Sequence, residues 1–242
     1  MKKLTILFIG LCLAACSKED PMTINQPNGQ LKYDGTHQFT VKKGGNSVSG
    51  VTWKSSDTKV GTVDNSGNFK ARKIGKTDVT ASTSDGSVSA SIEIFPYTTF
   101  FAEPVVDFGL SKASVKSKEK RKLEEEATEG LLYTGENSKI ENVAYTFSNN
   151  RLEYAAVLFQ STSAVVKEAT TYMKERYPVS GVDGSEIYFF SDNNKYLAVM
   201  GVDEELGLVA LYMENTTGAR KELTPKQAES FKKALAAFKA RR

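Results

Sequence analysis

Residues 88–94 read Val-Ser-Ala-Ser-Ile-Glu-Ile, a strict alternation of apolar and polar side chains. Successive side chains of an extended strand point to opposite faces. Val88, Ala90, Ile92 and Ile94 therefore share one face, and Ser89, Ser91 and Glu93 share the other. A helix at 3.6 residues per turn would scatter the same residues around its surface. Val51 and Trp53 alternate with Thr52 and Lys54 in the same way, and Asp64-Asn65-Ser66-Gly67 separates Val60–Val63 from Asn68–Ala71 as a hairpin turn. From Met22 to Pro96 the chain is rich in Thr, Ser, Val and Gly, and its short runs show no helical period. The expectation for residues 22–96 is a β-sandwich of about seven strands.

The residues of this stretch carry a family resemblance. "VTWKSSDTKVGTVDNSGNFKARKIGKTDVTAST" (51–83) is similar to the bacterial immunoglobulin-like domain of group 2. The family's W-x-S-S-D segment falls on Trp53 to Asp57, its V-x-x-x-G hairpin on Val63 to Gly67, and its K-x-x-G-x-T-x-[IV]-T-A ending on Lys73 to Ala81. The resemblance implies the fold and leaves activity open, because such modules occur in adhesins, in surface enzymes and as spacers. Trp53, in phase with Val51, is expected to plug the core. Asp57 and Asp64 are expected to close Asx turns, with no bound calcium.

The N-terminus has a different pattern. Lys2 and Lys3 precede an apolar run from Leu4 to Leu13, and Ala14 and Ala15 stand before Cys16. That is the layout of a secretory signal peptide over residues 1–15, whose core is well short of the ~20 residues that span a bilayer. Leu13-Ala14-Ala15-Cys16 also resembles the bacterial lipobox, which implies cleavage before Cys16 and lipid attached to it. Ser17, Lys18, Glu19 and Asp20 then resemble the acidic export signal of Bacteroidetes lipoproteins. This implies an outer-membrane lipoprotein that faces the cell exterior on a tether of residues 16–21. Two or three acyl chains would hold it firmly where one binds marginally.

Composition narrows the chemistry. Cleavage would remove Cys12 and lipidation would occupy Cys16, leaving no thiol for a disulfide, a zinc site or a nucleophile. The net charge of +3 falls to +1 without Lys2 and Lys3. Residues 22–96 carry nine basic and six acidic side chains, and residues 97–242 carry twenty and twenty-one. Neither half has the basic excess that nucleic-acid binding requires.

Beyond Pro96, residues 97–104 form an aromatic and proline-bearing connection, and the texture changes from Phe108. Ser111–Glu129 is charged with sparse apolar positions and is expected to form a helix ended by Gly130, with Glu124, Glu125 and Glu126 fanned around its solvated side. Strands are expected at Leu131–Thr134, Asn142–Ser148 and Arg151–Ser161, then a helix over Ser163–Tyr177 stopped by Pro178. Ser185–Ser191, Lys195–Val202 and Leu206–Glu214 follow as strands. "YTFSNNRLEYAAV" (145–157) echoes "YFFSDNNKYLAVM" (188–200), which suggests two helix-plus-strands repeats in one antiparallel sheet with helices on one face. The Phe-Gly-x-Ser-x-Ala-x-Val-Lys run (108–116) and the two aromatic hairpins resemble an α+β domain common in Bacteroidetes lipoproteins, similar in layout to β-lactamase-inhibitor-protein repeats. Thr224-Pro225-Lys226-Gln227 is a helix start, and Phe231, Leu235 and Phe238 recur at helical spacing. The α+β domain thus runs over residues 105–242, ending in this helix.

Catalytic signatures are missing from the sequence. The single histidine, His37, has no cysteine partner or nucleophile elbow, and HExxH, Walker and dinucleotide patterns are absent. No catalytic residues, metal ligands or cofactor are expected. All tyrosines except Tyr33 lie beyond Pro96. If one sheet face is open, Tyr145, Tyr154, Tyr188 and Tyr196 would stack on a glycan or anchor a peptide or protein. Otherwise they fill the core. The expected function is that of a lipid-anchored surface binding or adhesion protein, with the sandwich as spacer. The alternatives are an accessory subunit of an outer-membrane complex and, further off, a hydrolase built on two carboxylates. The oligomeric state stays open.

Overall fold

A computed structural model describes residues 20–215. The first half consists of ten short strands: β1 (Met22–Ile24), β2 (Asn28–Lys32), β3 (Thr36–Gln38), β4 (Val41–Lys43), β5 (Asn46–Ser47), β6 (Thr52–Ser55), β7 (Gly61–Val63), β8 (Asn68–Ala71), β9 (Gly75–Thr83) and β10 (Gly86–Phe95). They form a four-stranded sheet β2-β10-β9-β6 and two three-stranded sheets, β1-β4-β5 and β3-β8-β7. The strands outnumber the expected seven because several pairings involve only two or three residues.

The alternation in β10 does what its sequence demands. Ala90, Ile92 and Ile94 are buried with Phe39, Phe69 and Val79, while Ser89 and Ser91 face water. Trp53 packs at the margin of this core, half-buried and tilted against Phe39 with ring centroids 6.1 Å apart. Asp57 Oδ1 accepts the Lys59 N–H at 2.9 Å, and Asp64 Oδ1 accepts the Ser66 N–H at 2.8 Å, so both aspartates close Asx turns.

Among the described residues, the second half is one eight-stranded antiparallel sheet with two helices. Helix α1 (Lys112–Lys118) precedes β11 (Leu123–Glu126), β12 (Gly130–Thr134), β13 (Ile140–Ser148) and β14 (Arg151–Phe159). Helix α2 (Ser163–Arg176) precedes β15 (Val179–Asp183), β16 (Glu186–Phe190), β17 (Tyr196–Asp203) and β18 (Gly207–Glu214). The spatial order is β11-β12-β13-β14-β18-β17-β16-β15. Each helix thus leads four strands, and the two units meet where β14 pairs with β18. Apolar side chains of both helices (Val115, Val165, Ala169, Tyr172 and Met173) pack on one face of the sheet. The connection contributes to that core, with Phe101 buried and stacked 3.9 Å from the Tyr172 ring.

Three expectations need correction. The helix over Ser111–Glu129 is only seven residues long. At Glu119 the chain becomes extended and turns its carboxylate onto Arg121, and the next residues pair with β12 as an edge strand. Helix-forming Lys and Glu lost to tertiary pairing, and Glu124–Glu126 became a charged edge that discourages further strand addition. β15 is a strand that the sequence does not announce, because Val179–Asp183 sits directly behind Pro178 and shows no clean alternation. The internal echo is also out of register with the true repeat. It aligns the β13–β14 hairpin, the last of the first unit, with β16–β17, the middle hairpin of the second. What the two share is turn chemistry, with Asn149, Asn150 and Asn194 at positive φ, and buried aromatic strands.

Candidate site at the domain junction

The sequence candidates are not brought together. Tyr145 and Tyr196 lie with the helix-side core, whereas Tyr154 and Tyr188 belong to the opposite face. Tyr145 and Tyr188 are fully buried, so no open four-tyrosine platform exists. The reason lies in the strand parity: both faces of the sheet are apolar, and the aromatic positions fall on both. The Tyr145 hydroxyl donates to Glu119 Oε2 and the Tyr188 hydroxyl to Glu186 Oε2. Burial, with the neighbouring carboxylate, pushes both phenols well above their ordinary range. Asp20 is exposed. Cys16, Ser17, Lys18 and Glu19 lie outside the described residues, as does the expected helix from Thr224.

A concavity lies instead where the two halves meet. A cleft of about 450 Å³ is lined by Lys73 and Ile74 from the first half, Glu103 from the connection, Tyr172, Arg176 and Tyr177 from the end of α2, and Ser191–Asn193 and Tyr196 from the β16–β17 hairpin. α2 reaches this point because the Thr162 side chain caps its N-terminus by accepting the Val165 N–H, and because Tyr177 and Pro178 end it beside the first half.

The joint beneath the cleft is polar and buried. The Ile74 N–H donates to the Glu175 carbonyl at 2.8 Å. The Glu175 carboxylate has no exposed surface, accepts the Tyr97 N–H, and sits 3.3 Å from Arg176 Nη1. Arg176 lies over Tyr172, 3.5 Å from the ring centroid, and donates from Nη2 to the Thr98 carbonyl at 3.2 Å. Across the mouth, Lys73 pairs with the Asp192 carboxylate and Lys59 Nζ donates to the Asp192 carbonyl at 2.8 Å.

The floor carries a chain of phenols. The Tyr177 hydroxyl donates to Glu103 Oε1 and lies 3.1 Å from the Tyr196 hydroxyl. Burial raises the Tyr177 and Tyr196 phenols above their usual range, and it pushes Tyr172 up to about 12. They therefore act as neutral donors and stacking surfaces at any physiological pH.

Chemically, the cleft offers aromatic rings, paired charges and the Ser191–Asn193 turn. Its two carboxylates, on Glu103 and Asp192, are already engaged by Tyr177 and Lys73. His37 is remote in the chain, edge-on to Phe39 with ring centroids 4.6 Å apart and within 3.4 Å of Asn25 Nδ2. Among the described residues, no group of three or more His, Cys, Asp or Glu is placed to hold a metal ion. Asp203 Oδ1 accepts the N–H groups of Glu205 and Leu206, so Asp203 closes the turn between β17 and β18. Of the candidate tyrosines only Tyr196 lines the cleft. The signal for the others was the Glu175-Arg176-Tyr177-Pro178 sequence, a charge pair and an aromatic at a helix end.

Comparison with known proteins assigns the first half. Residues 20–94 match the family described as Bacterial Ig-like domain (group 2). An uncharacterised protein of Clostridium acetobutylicum is 34% identical over 79 residues, which is 33% of this chain and 7% of that protein. Among solved structures, domains 5–6 of the S-layer protein SbsC align with a TM-score of 0.28 at 13% identity, covering 83% of this chain and 86% of that one. An intimin mutant from EHEC aligns at 0.24 with 15% identity, covering 55% and 90%. Likenesses this low carry no functional assignment, and the Ig-like identity rests on residues 20–94.

Proposed function

We propose that this is a lipid-anchored cell-surface binding protein, in which the Ig-like domain acts as spacer and the junction with the α+β domain receives a ligand. The observation that carries the reading is the cleft itself, where Tyr172, Tyr177 and Tyr196 stand among hydrogen-bonding groups of Glu103, Asp192 and Asn193. Aromatic faces beside fixed polar groups suit a saccharide, which offers C–H faces for stacking and hydroxyls for hydrogen bonds. The lipobox at Cys16 and the acidic residues after it support the membrane anchor and an outward-facing location. The engaged state of both cleft carboxylates favours binding over hydrolysis.

Two measurements test this. Protease added to intact cells should digest the protein, and survival until the outer membrane is breached would overturn surface exposure. On a glycan array, the purified chain should bind a saccharide, and Tyr196→Ala should weaken that binding at least tenfold without lowering Tm. A blank array would overturn the saccharide reading. Co-purification of an outer-membrane partner with that blank array would turn the reading to an accessory subunit.

A further inference from the structure

The phenols on the floor of the junction cleft hold their protons in a fixed order. The Tyr177 hydroxyl donates to Glu103 Oε1 and lies 3.1 Å from the Tyr196 hydroxyl. A carboxylate only accepts, and a neutral phenol has a single proton. The Tyr177 proton is therefore committed to Glu103, and the bond between the two phenols uses the proton of Tyr196. Tyr196 Oη is left with lone pairs alone, and so is Glu103 Oε2. This end of the cleft consequently asks a ligand for hydrogen-bond donors.

Charge narrows the demand. Lys73 pairs with Asp192, and Arg176 pairs with Glu175 while it lies over the Tyr172 ring. Glu103 is exposed, and among the described residues it has no cationic partner. The Tyr177 hydroxyl occupies one of its oxygens without bringing a charge. Resting on the saccharide reading of this cleft, we infer that the group held at Glu103 and Tyr196 is a protonated amine, so that the ligand is an amino sugar with its amine free. An ammonium has three protons to give and no lone pair, so it satisfies Glu103 Oε2 and Tyr196 Oη together and supplies the opposite charge. A sugar hydroxyl gives one proton and no charge. An N-acetyl group gives one N–H and adds a carbonyl oxygen, an acceptor among acceptors. The β16–β17 turn has the complementary polarity. Asn193 Oδ1 accepts the Ser191 hydroxyl at 3.0 Å and the Lys195 N–H at 3.1 Å, which leaves the Asn193 amide NH2 as a donor to sugar oxygens.

Calorimetric titration of the full chain tests this, with the glucosamine tetramer and its N-acetylated counterpart as probes at about pH 6, where free amines carry a proton. The amine form should bind at least tenfold more tightly than the acetylated form, and its affinity should fall as salt rises. Glu103→Gln keeps an oxygen for the Tyr177 hydroxyl and removes the charge, so it should bring the two affinities within twofold of each other at unchanged Tm. Tyr196→Phe keeps the ring, loses the acceptor and should narrow the preference as well. Equal binding of the two forms by the wild-type chain would overturn the amine assignment and leave the saccharide reading standing, as would a preference that survives Glu103→Gln. Tetralysine bound as tightly as the glucosamine tetramer would overturn it too, because any oligoamine would then serve. Binding of neither saccharide would overturn both readings.

Discussion

The Ile74 N–H of the Ig-like domain donates to the Glu175 carbonyl at the end of α2, across 2.8 Å. The same Glu175 receives the Tyr97 N–H on its side chain and faces Arg176. One residue thus ties the first domain, the connection and the second domain. A buried carboxylate tolerates this position because an N–H and a guanidinium both address it. Glu175→Ala removes the acceptor, leaves the Tyr97 N–H unmatched and takes the opposite charge away from Arg176, which should cost about 3 kcal/mol. Glu175→Gln keeps an acceptor and should cost less. The readouts are the denaturation midpoint and proteolysis within residues 96–104, which Glu175→Ala should accelerate. Equal behaviour of the two variants would show that Glu175 does not hold the joint.

The mouth pair behaves differently. Lys73 and Asp192 side chains are 16% and 43% exposed, so solvent screens their attraction. Lys73→Ala should cost no more than about 1 kcal/mol, and the difference from wild type should shrink at high salt. The expected consequence lies in the cleft: ligand affinity and the average angle between domains, followed by small-angle scattering, should change more than stability.

A second network, centred on the buried Arg121 and Glu119, sits just before β11. Arg121 binds Glu119 through Nη1 at 2.9 Å and Glu136 through Nε at 2.7 Å, with Arg121 and Glu119 side chains 7% and 3% exposed. Hydrogen bonds and charge from Arg121 hold the Glu136 carboxyl below its usual range, against a burial effect that works the other way. A carboxylate with a depressed folded-state pKa stabilises the fold fully above its unfolded value, about 4.3 for Glu. That contribution is lost as pH falls from there through the folded value. Denaturation midpoints should therefore drop below about pH 4.3, and Glu136→Gln should flatten that slope while lowering stability at pH 7. An unchanged acid slope in the variant would remove Glu136 from the account.

The legible part of this fold was its period-two regions and its punctuated helix. Val88–Ile94 and the strands around Tyr145, Tyr154 and Tyr196 announce themselves, because a half-buried or doubly buried strand writes its faces into the sequence. Thr162 and Pro178 bracket α2 for equally local reasons. The β11 edge was illegible, since Leu123–Glu126 has helix-favouring composition and becomes a strand only through pairing with β12. The site was less legible still. Lys73, Glu103, Arg176 and Asp192 are scattered through the chain, and only the docking of two domains makes them neighbours. Tyrosine content pointed to the second half of the chain, where the four candidates divide between the two faces of the sheet.

Gly67 is a position where the backbone demands glycine. Its φ is +83°, and an added Cβ would stand 2.7 Å from the Phe39 carbonyl oxygen and 2.9 Å from the Trp53 ring. The Phe39 N–H also donates to the Gly67 carbonyl at 2.9 Å, so the turn cannot shift freely. Gly67→Ala should destabilise the Ig-like domain by more than about 1 kcal/mol and disturb Trp53 fluorescence. An unaltered Tm and emission maximum would mean that the β7–β8 turn relaxes at no cost.

Thr146 offers the opposite sign. Its hydroxyl on β13 is buried without a hydrogen-bond partner among the described residues, on the sheet face that carries Ala144 and Ala156. An unmatched buried hydroxyl is a desolvation cost with no return, of about 1–3 kcal/mol. Thr146→Val keeps the branched shape that suits a strand and replaces the hydroxyl by a methyl group. The expected result is a gain of about 1 kcal/mol, read as a higher denaturant midpoint at unchanged m-value. Thr146→Ser, which keeps the hydroxyl and loses the methyl, should move the midpoint down. If Thr146→Val lowers the midpoint instead, the hydroxyl has a bonded partner, a buried water being the first to seek by hydrogen exchange and crystallography.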